Sequence, residues 1–248
     1  MKWNKLYNYP PCVRSTKDGD RKYEIGETRL PSVTTILKNT ESLEKTESLA
    51  RWRQKVGENE AERIVNEAAR RGTAMHSYLE TYIKGGNLVD LTDIGQDASS
   101  MGQEIIDQGF NDLEEIWGSE VTLYYPELYA GQTDLCGIYQ GRESIVDFKQ
   151  TNKPKKIEWI DDYFTQLAAY AMAHDQVYGT CVEQGVILMC SKDGFFQRFI
   201  VNWKNFTRYK HKFLEKIGQF YQKMGEKKGQ KEVIKGLKDL FWGRKRAF

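Results

Sequence analysis

The 248-residue sequence predicts an α/β domain with a helical elaboration ahead of its sheet. Two strand-like segments, residues 131–139 and 144–150, are separated by a tight turn at Gln140, Gly141 and Arg142. Further strand patterns at 120–125, 182–190 and 195–201 are interleaved with helical periodicity at 161–178 and 203–224. Residues 41–85 lack proline and are rich in Glu, Lys, Arg, Ala and Leu, which predicts helix almost throughout. No internal repeat or low-complexity linker interrupts the chain, so residues 1–248 are expected to form a single domain.

Composition narrows the class. With 40% hydrophobic and 29% charged residues the chain has a globular balance, and no apolar run approaches the ~18–20 residues of a membrane span. The first residues lack the apolar core of a signal peptide, and a cytoplasmic location, without membrane partners, is the expectation. The net charge of +2 does not announce a nucleic-acid binder, but its distribution is uneven. Lys149, Lys153, Lys155 and Lys156 lie together without an acid, and the tail from Gly225 holds eight Lys/Arg against three acids. Such clusters suit phosphate contacts or a solvated surface. The cysteines, Cys12, Cys136, Cys181 and Cys190, include no C-x₂-C pair; free, mostly buried thiols are expected and no zinc ribbon.

In chain order, residues 1–30 read as an irregular arm with a strand pair near Lys22 to Ile25. Pro31 and Ser32 ahead of Ile36 and Leu37 mark a helix start, where the hydroxyls of Ser32, Thr34 and Thr35 would cap the helix or hold a phosphate. The helical stretch breaks near Val56 and Gly57; residues 41–117 form the elaboration, ending in an amphipathic helix over 97–117. Residues 119–202 form the sheet core, with the helix 161–178 begun by Asp161 and Asp162, and residues 203–248 supply a last helix and the basic tail, where Leu237, Leu240, Phe241 and Trp242 would dock.

The chemistry concentrates in the hairpin. Strand alternation sends Asp147 and Lys149 to one face and Val146 and Phe148 to the other, while Asp134 comes from the neighbouring strand. Half-burying these charges is costly unless they are used. Two carboxylates form a hard-cation site suited to Mg²⁺ or Mn²⁺, beside which a lysine can orient water or steady charge on a phosphate. An exposed salt bridge is the competing explanation.

Gly131-x-x-Asp134 followed by Asp147-Phe148-Lys149 resembles the PD-(D/E)XK nuclease superfamily. Further motifs resemble its RecB-like exonuclease branch, related to mitochondrial genome maintenance exonuclease and phage exonucleases. They are Pro31-Ser32-Val33-Thr34, Gly72-x-x-x-His76-x-x-x-Glu80, and Gln166-x-x-x-Tyr170 on the helix after the hairpin. The likeness covers about residues 30–201 and implies a restriction-endonuclease-like central mixed β-sheet flanked by helices, with the elaboration arching over the active site. It implies a metal-dependent deoxyribonuclease. His76, Asp134, Asp147 and the Phe148 carbonyl would hold one or two Mg²⁺ or Mn²⁺ ions, with Lys149, Gln166 and Tyr170 beside the reaction. Glu80 would orient His76, and Glu120 is a further acid on an upstream strand. No Fe–S cluster is expected, because the cysteine pattern of relatives that carry one is missing, and no nucleotide cofactor.

DNA, single-stranded or with free ends, is the expected partner. Its contacts would be Ser32, Thr34, Lys153, Lys155, Lys156, Arg70, Arg71 and the helical Lys45, Arg51 and Arg53, with Trp52 or Tyr78 for stacking. Phage or host replication and recombination proteins are candidate partners, in a bacterial or phage-infected cell. Two other classes stay open: a sequence- or structure-directed endonuclease of the same superfamily, and a non-catalytic DNA-binding module. A zinc peptidase is excluded at motif level, as no H-E-x-x-H occurs. His174 is read as structural or surface.

Overall fold

Apolar residues on both faces of successive strands require a sheet covered on two sides, and that is the arrangement found. The computed structural model describes residues 1–17, 19–225 and 234–236. Most of the basic tail, including Leu237, Leu240, Phe241 and Trp242, lies outside them.

The central sheet has six strands: β1 (Lys2–Trp3), β5 (Leu113–Tyr125), β6 (Tyr129–Tyr139), β7 (Arg142–Thr151), β8 (Gln184–Ser191) and β9 (Phe196–Asn202), side by side in that order. β1 joins β5 and β7 joins β8 in parallel, and the other neighbours are antiparallel, so the sheet is mixed. A three-stranded antiparallel sheet of β2 (Val13–Lys17), β3 (Asp20–Ile25) and β4 (Thr28–Pro31) sits beside it. The irregular arm expected at the N-terminus is therefore largely sheet.

One layer consists of α3 (Glu58–Ile83) and α4 (Asp93–Gly109), whose Met75, Leu79, Met101 and Ile105 pack on Val146, Phe148 and Leu188. The other holds α1 (Val33–Asn39), α5 (Asp161–Tyr178) and α6 (Trp203–Met224), packed on Cys136, Ile145 and Ile187. Alternation along β7 is thus as read: Val146 and Phe148 face α3 and α4, and Ile145 the opposite layer. α2 (Leu43–Val56) ends at Gly57, whose φ of 87° glycine adopts without strain, and none of its residues is buried.

α5 and α6 keep the predicted bounds. The helix expected over 97–117 does not: α4 stops at Gly109, and Leu113 to Trp117 open β5. Phe110, Leu113 and Ile116 fit helical spacing, but Leu113 and Ile116 pair with Tyr139 and Gly137 of β6 and are buried there as strand residues. Among the cysteines, Cys136 and Cys190 are buried, Cys12 is half-buried and Cys181 exposed, all as free thiols.

The N-terminal arm is tied to α5 by a buried aromatic cluster. His174 stacks on Trp117 at 5.6 Å between ring centroids. Its Nε2 lies 3.1 Å from the Tyr9 hydroxyl and its Nδ1 2.8 Å from Thr180 Oγ1. Burial drives its pKa down to about 4 from 6.5. The unfolded chain therefore takes up the extra proton first, so stability is full above pH 6.5 and falls as pH drops towards 4, by up to about 3 kcal/mol. Thermal unfolding across pH 4–7 is expected to show this slope, and His174→Gln to flatten it; an unchanged slope in the variant would remove His174 as its cause.

Candidate active site

The site forms where β6 and β7 part. Their register runs from Tyr139↔Arg142 to Leu135↔Val146 and stops there, while β6 continues on β5 and β7 on β8. At the fork the Phe148 N–H meets a side chain instead of a backbone carbonyl: it donates to Asp134 Oδ2 at 2.7 Å. A strand residue presents its N–H and C=O on the same edge, so the Phe148 carbonyl also leaves towards the fork.

Three ligand-bearing side chains converge on it. His76 Nδ1, on α3, lies 3.4 Å from Asp134 Oδ1 and 3.7 Å from Glu120 Oε1. Donor atoms of His76, Glu120 and Asp134 all fall within 4.8 Å of one another. Glu120 sits on β5 at φ 53°, a left-handed backbone that costs a non-glycine residue on the order of 1 kcal/mol or more and re-aims the carboxylate. Gln132 holds that turn, its Nε2 donating to Glu120 Oε2 at 2.8 Å and to the Glu120 carbonyl at 3.2 Å.

Asp147 is buried at 3% exposure. Its Oδ2 ion-pairs with the Lys149 ammonium yet lacks a hydrogen bond of good geometry. Lys149 Nζ also lies 5.2 Å from the centre of the Tyr163 ring. On α5, Gln166 Nε2 donates to the Tyr170 hydroxyl at 2.9 Å. Tyr170 is accommodated by Gly131, where a Cβ would stand 2.5 Å from its ring.

The electrostatics follow from burial and mutual contact. Burial alone would lower His76, but Asp134 and Glu120 outweigh it and hold the imidazole up at about 10. Burial raises Asp147 to about 6, against the pull of Lys149 and with the push of Asp134. For Asp134, burial is outweighed by His76, Lys149 and the Phe148 amide, and its carboxyl stays below the usual range. Lys149 is held above its usual value, burial being overcome by Asp147 and Asp134, so it is an ammonium at neutral pH. Tyr170 is pushed well up by burial and remains a hydroxyl donor.

These residues line a cavity of about 560 Å³ that also takes in Thr34. Several expected contacts lie elsewhere. Arg71 is turned inward at 1% exposure, donating to Gln150 Oε1 and Glu67 Oε1 at 3.1 Å each and to Asn152 Oδ1, so it fastens α3 to the end of β7 and offers no phosphate contact. Ser32 does line the cavity but is almost fully buried there: its Oγ caps α1 by accepting from the Thr35 N–H at 2.9 Å. Glu80 lines the cavity but pairs with Lys84, and Glu120 is the acid beside His76.

Trp52 belongs to a separate groove of about 1370 Å³ between α2, α6 and the start of α5. Of the helical elaboration, α3 walls the cavity, while no residue of α2 is among its lining residues. Arg70 and Lys153 are exposed outside the cavity, Lys155 is joined by its backbone to Gln197, and Lys156 lies over the Trp159 ring. Lys45, Arg51 and Arg53 are engaged in ion pairs with acids. The cavity's other cations, Arg14 and Arg21, were not singled out by sequence, since no motif or periodicity marks them.

The forked mixed sheet carries Gly131-x-x-Asp134 on one arm and Asp147-x-Lys149 on the other, with His76 facing the fork, so the motifs that resemble RecB-like PD-(D/E)XK exonucleases come together in space. In keeping with that resemblance, the sequence is similar to mitochondrial genome maintenance exonuclease 1. It is 28% identical to the human protein over 174 residues, covering 66% of this chain and 50% of the relative. To the Xenopus tropicalis protein it is 29% identical over 179 residues, covering 66% and 49%. The chain thus spans about half the length of the curated relatives it matches. Among solved structures, a candidate exonuclease from Eubacterium rectale aligns at 15% identity over 67% of this chain and 68% of that one, with a TM-score of 0.45. No protein-family model matches the chain.

Gly131→Ala is expected to displace Tyr170 and destabilise the protein by about 1–3 kcal/mol. Combined with Tyr170→Ala it should cost less than the sum of the two changes. Urea unfolding of the single and double variants measures this, and strict additivity would show that the ring is not what Gly131 accommodates.

Proposed function

We propose that this protein is a divalent-cation-dependent DNA exonuclease that hydrolyses phosphodiester bonds of single strands or free ends, in phage or bacterial replication, repair or recombination. The observation that carries the reading is the convergence of His76, Glu120 and Asp134 at a sheet fork beside the Asp147–Lys149 pair. The kinship with exonucleases supports it.

The donor set fits a hard cation. Glu120, Asp134 and Asp147 against Lys149 leave two negative charges when His76 is neutral, and Asp147 retains a buried oxygen without a good hydrogen bond. His76, Asp134, Asp147 and the Phe148 carbonyl would hold Mg²⁺ or Mn²⁺, with Glu120 in reach. Such an ion, when bound, supplies an activated water and neutralises charge on the phosphate. Lys149, kept protonated by its two aspartates, orients the attacking water or a non-bridging phosphate oxygen. Tyr170, oriented by Gln166, donates its hydroxyl towards the substrate backbone. Thr34 provides an exposed hydroxyl at the rim.

No helix among the described residues is long and apolar enough to cross a membrane. A bacterial or phage-infected cytoplasm is the setting attached to this reading, although the relatives are named for the mitochondrion.

Degradation of end-labelled single-stranded, duplex and closed-circular DNA with Mg²⁺ or Mn²⁺ tests the reading. Asp147→Asn and Lys149→Ala are each expected to reduce cleavage by about 10²-fold or more. Cutting that persists in both variants would sink the site assignment. Closed circles cut as fast as linear DNA would replace the exonuclease by an endonuclease.

A further inference from the structure

We infer that Arg14 and Arg21, on the small N-terminal sheet, form a phosphate-holding pair that positions the substrate strand in the cavity. The inference rests on the nuclease reading and adds to it a substrate contact that no motif marks.

The register places both arginines on one face. Arg14 pairs with Tyr23 and Thr16 with Arg21, so Arg14 and Arg21 are diagonal cross-strand neighbours, roughly 7–8 Å apart by strand geometry. Both line the cavity that holds His76, Asp134 and Lys149. Neither forms an ion pair among the described residues, whereas Lys45, Arg51, Arg53 and Arg63 each meet a carboxylate. The Arg21 side chain hydrogen-bonds Tyr23 beside it, but two guanidinium groups on one face with no directly paired carboxylate repel one another, and an anion between them relieves that.

The backbone beneath Arg21 is fixed with care. Its N–H donates to Thr35 Oγ1 at 2.8 Å, and its carbonyl accepts from Thr35 Oγ1 at 3.1 Å and from the Ser32 N–H at 2.9 Å. Ser32 in turn bridges to Ala130, beside Gly131 on the strand that carries Asp134. The Pro31-Ser32-Val33-Thr34-Thr35 segment thus ties the arginine strand to the catalytic strand. The Thr35 hydroxyl and the Ser32 amide hold Arg21 at a set place relative to Asp134. Guanidinium groups present paired donors that match phosphate oxygens, and a nucleic-acid strand entering a cavity with acids on one side needs cations on the other.

The test uses fluorescein-labelled oligothymidylate with a 5′-phosphate or a 5′-hydroxyl, and bis(p-nitrophenyl) phosphate as a small ester that does not span to the arginines. Arg14→Gln and Arg21→Gln are each expected to weaken oligonucleotide binding, read by anisotropy in EDTA, about tenfold. With Mn²⁺ they should raise KM for the oligonucleotide about tenfold and leave kcat within about twofold, with hydrolysis of the small ester unchanged. Arg→Lys variants should restore part of the binding. A loss confined to 5′-phosphorylated strands assigns the pair to a terminal phosphate; an equal loss for both ends assigns it to an internal phosphodiester. Wild-type affinity in both Gln variants, or an equal fall in small-ester hydrolysis, would overturn the inference. If the wild type cuts neither substrate, the nuclease reading fails, and the binding measurements in EDTA still decide the arginines.

Discussion

The hydrogen bond from the Phe148 amide to the Asp134 carboxylate sets the terms for the rest of the molecule. A strand amide in the middle of a sheet has to find an acceptor, and ordinarily the next strand supplies it. Here a side chain does so, which lets β6 and β7 separate without leaving a buried donor unpaired. Each strand keeps its other neighbour, so the sheet remains anchored on both sides of the gap. The slot can then be reached from both layers: His76 arrives from α3 and the Gln166–Tyr170 pair from α5.

Charges gathered in such a slot are tolerable only as a set. His76 and Lys149 offset the carboxylates around them, and the shifted proton affinities of Asp147 and His76 measure how strongly each depends on the others. Their positions depend in turn on residues with no chemistry of their own to perform. Buried Arg71 locks α3 against Gln150 and Asn152, a little over one helical turn before His76. Gln132 secures the left-handed turn at Glu120.

Much of this was legible in the sequence where the signal is local. The bounds of α5 and α6, the break at Gly57 and the cap at Ser32 follow from periodicity and capping rules that act within a few residues. The hairpin's face assignment follows from strand alternation, and His76 from a motif. What was not legible depends on contacts across the fold. Glu80 and Glu120 are equally acidic on paper, and only a left-handed backbone on β5 decides which one meets His76. Arg71 looks like a surface cation because its helix is charged, yet two of its three partners are about eighty positions away. Arg14 and Arg21 belong to a sheet whose weak alternation reads as an irregular arm. Leu113 and Ile116 are spaced as on a helix, and a register shift between Leu113 and Glu115 brings both to one core from β5, so only pairing with β6 settles where α4 ends.

Helix α2 stands apart from this economy of mutual support. It is held by its Ser42 cap, ion pairs on its surface and its junction with α3, and it contributes no buried residue to either core. Surface ion pairs contribute little, so unwinding this helix costs far less than unfolding the domain. With no buried residue, its amides should exchange faster than those of the central sheet. Local melting of α2 would reshape the groove that holds Trp52 while the fork remains intact. Two neighbouring surfaces of one chain therefore answer to separate free energies, one set by the global fold and the other by a single helix.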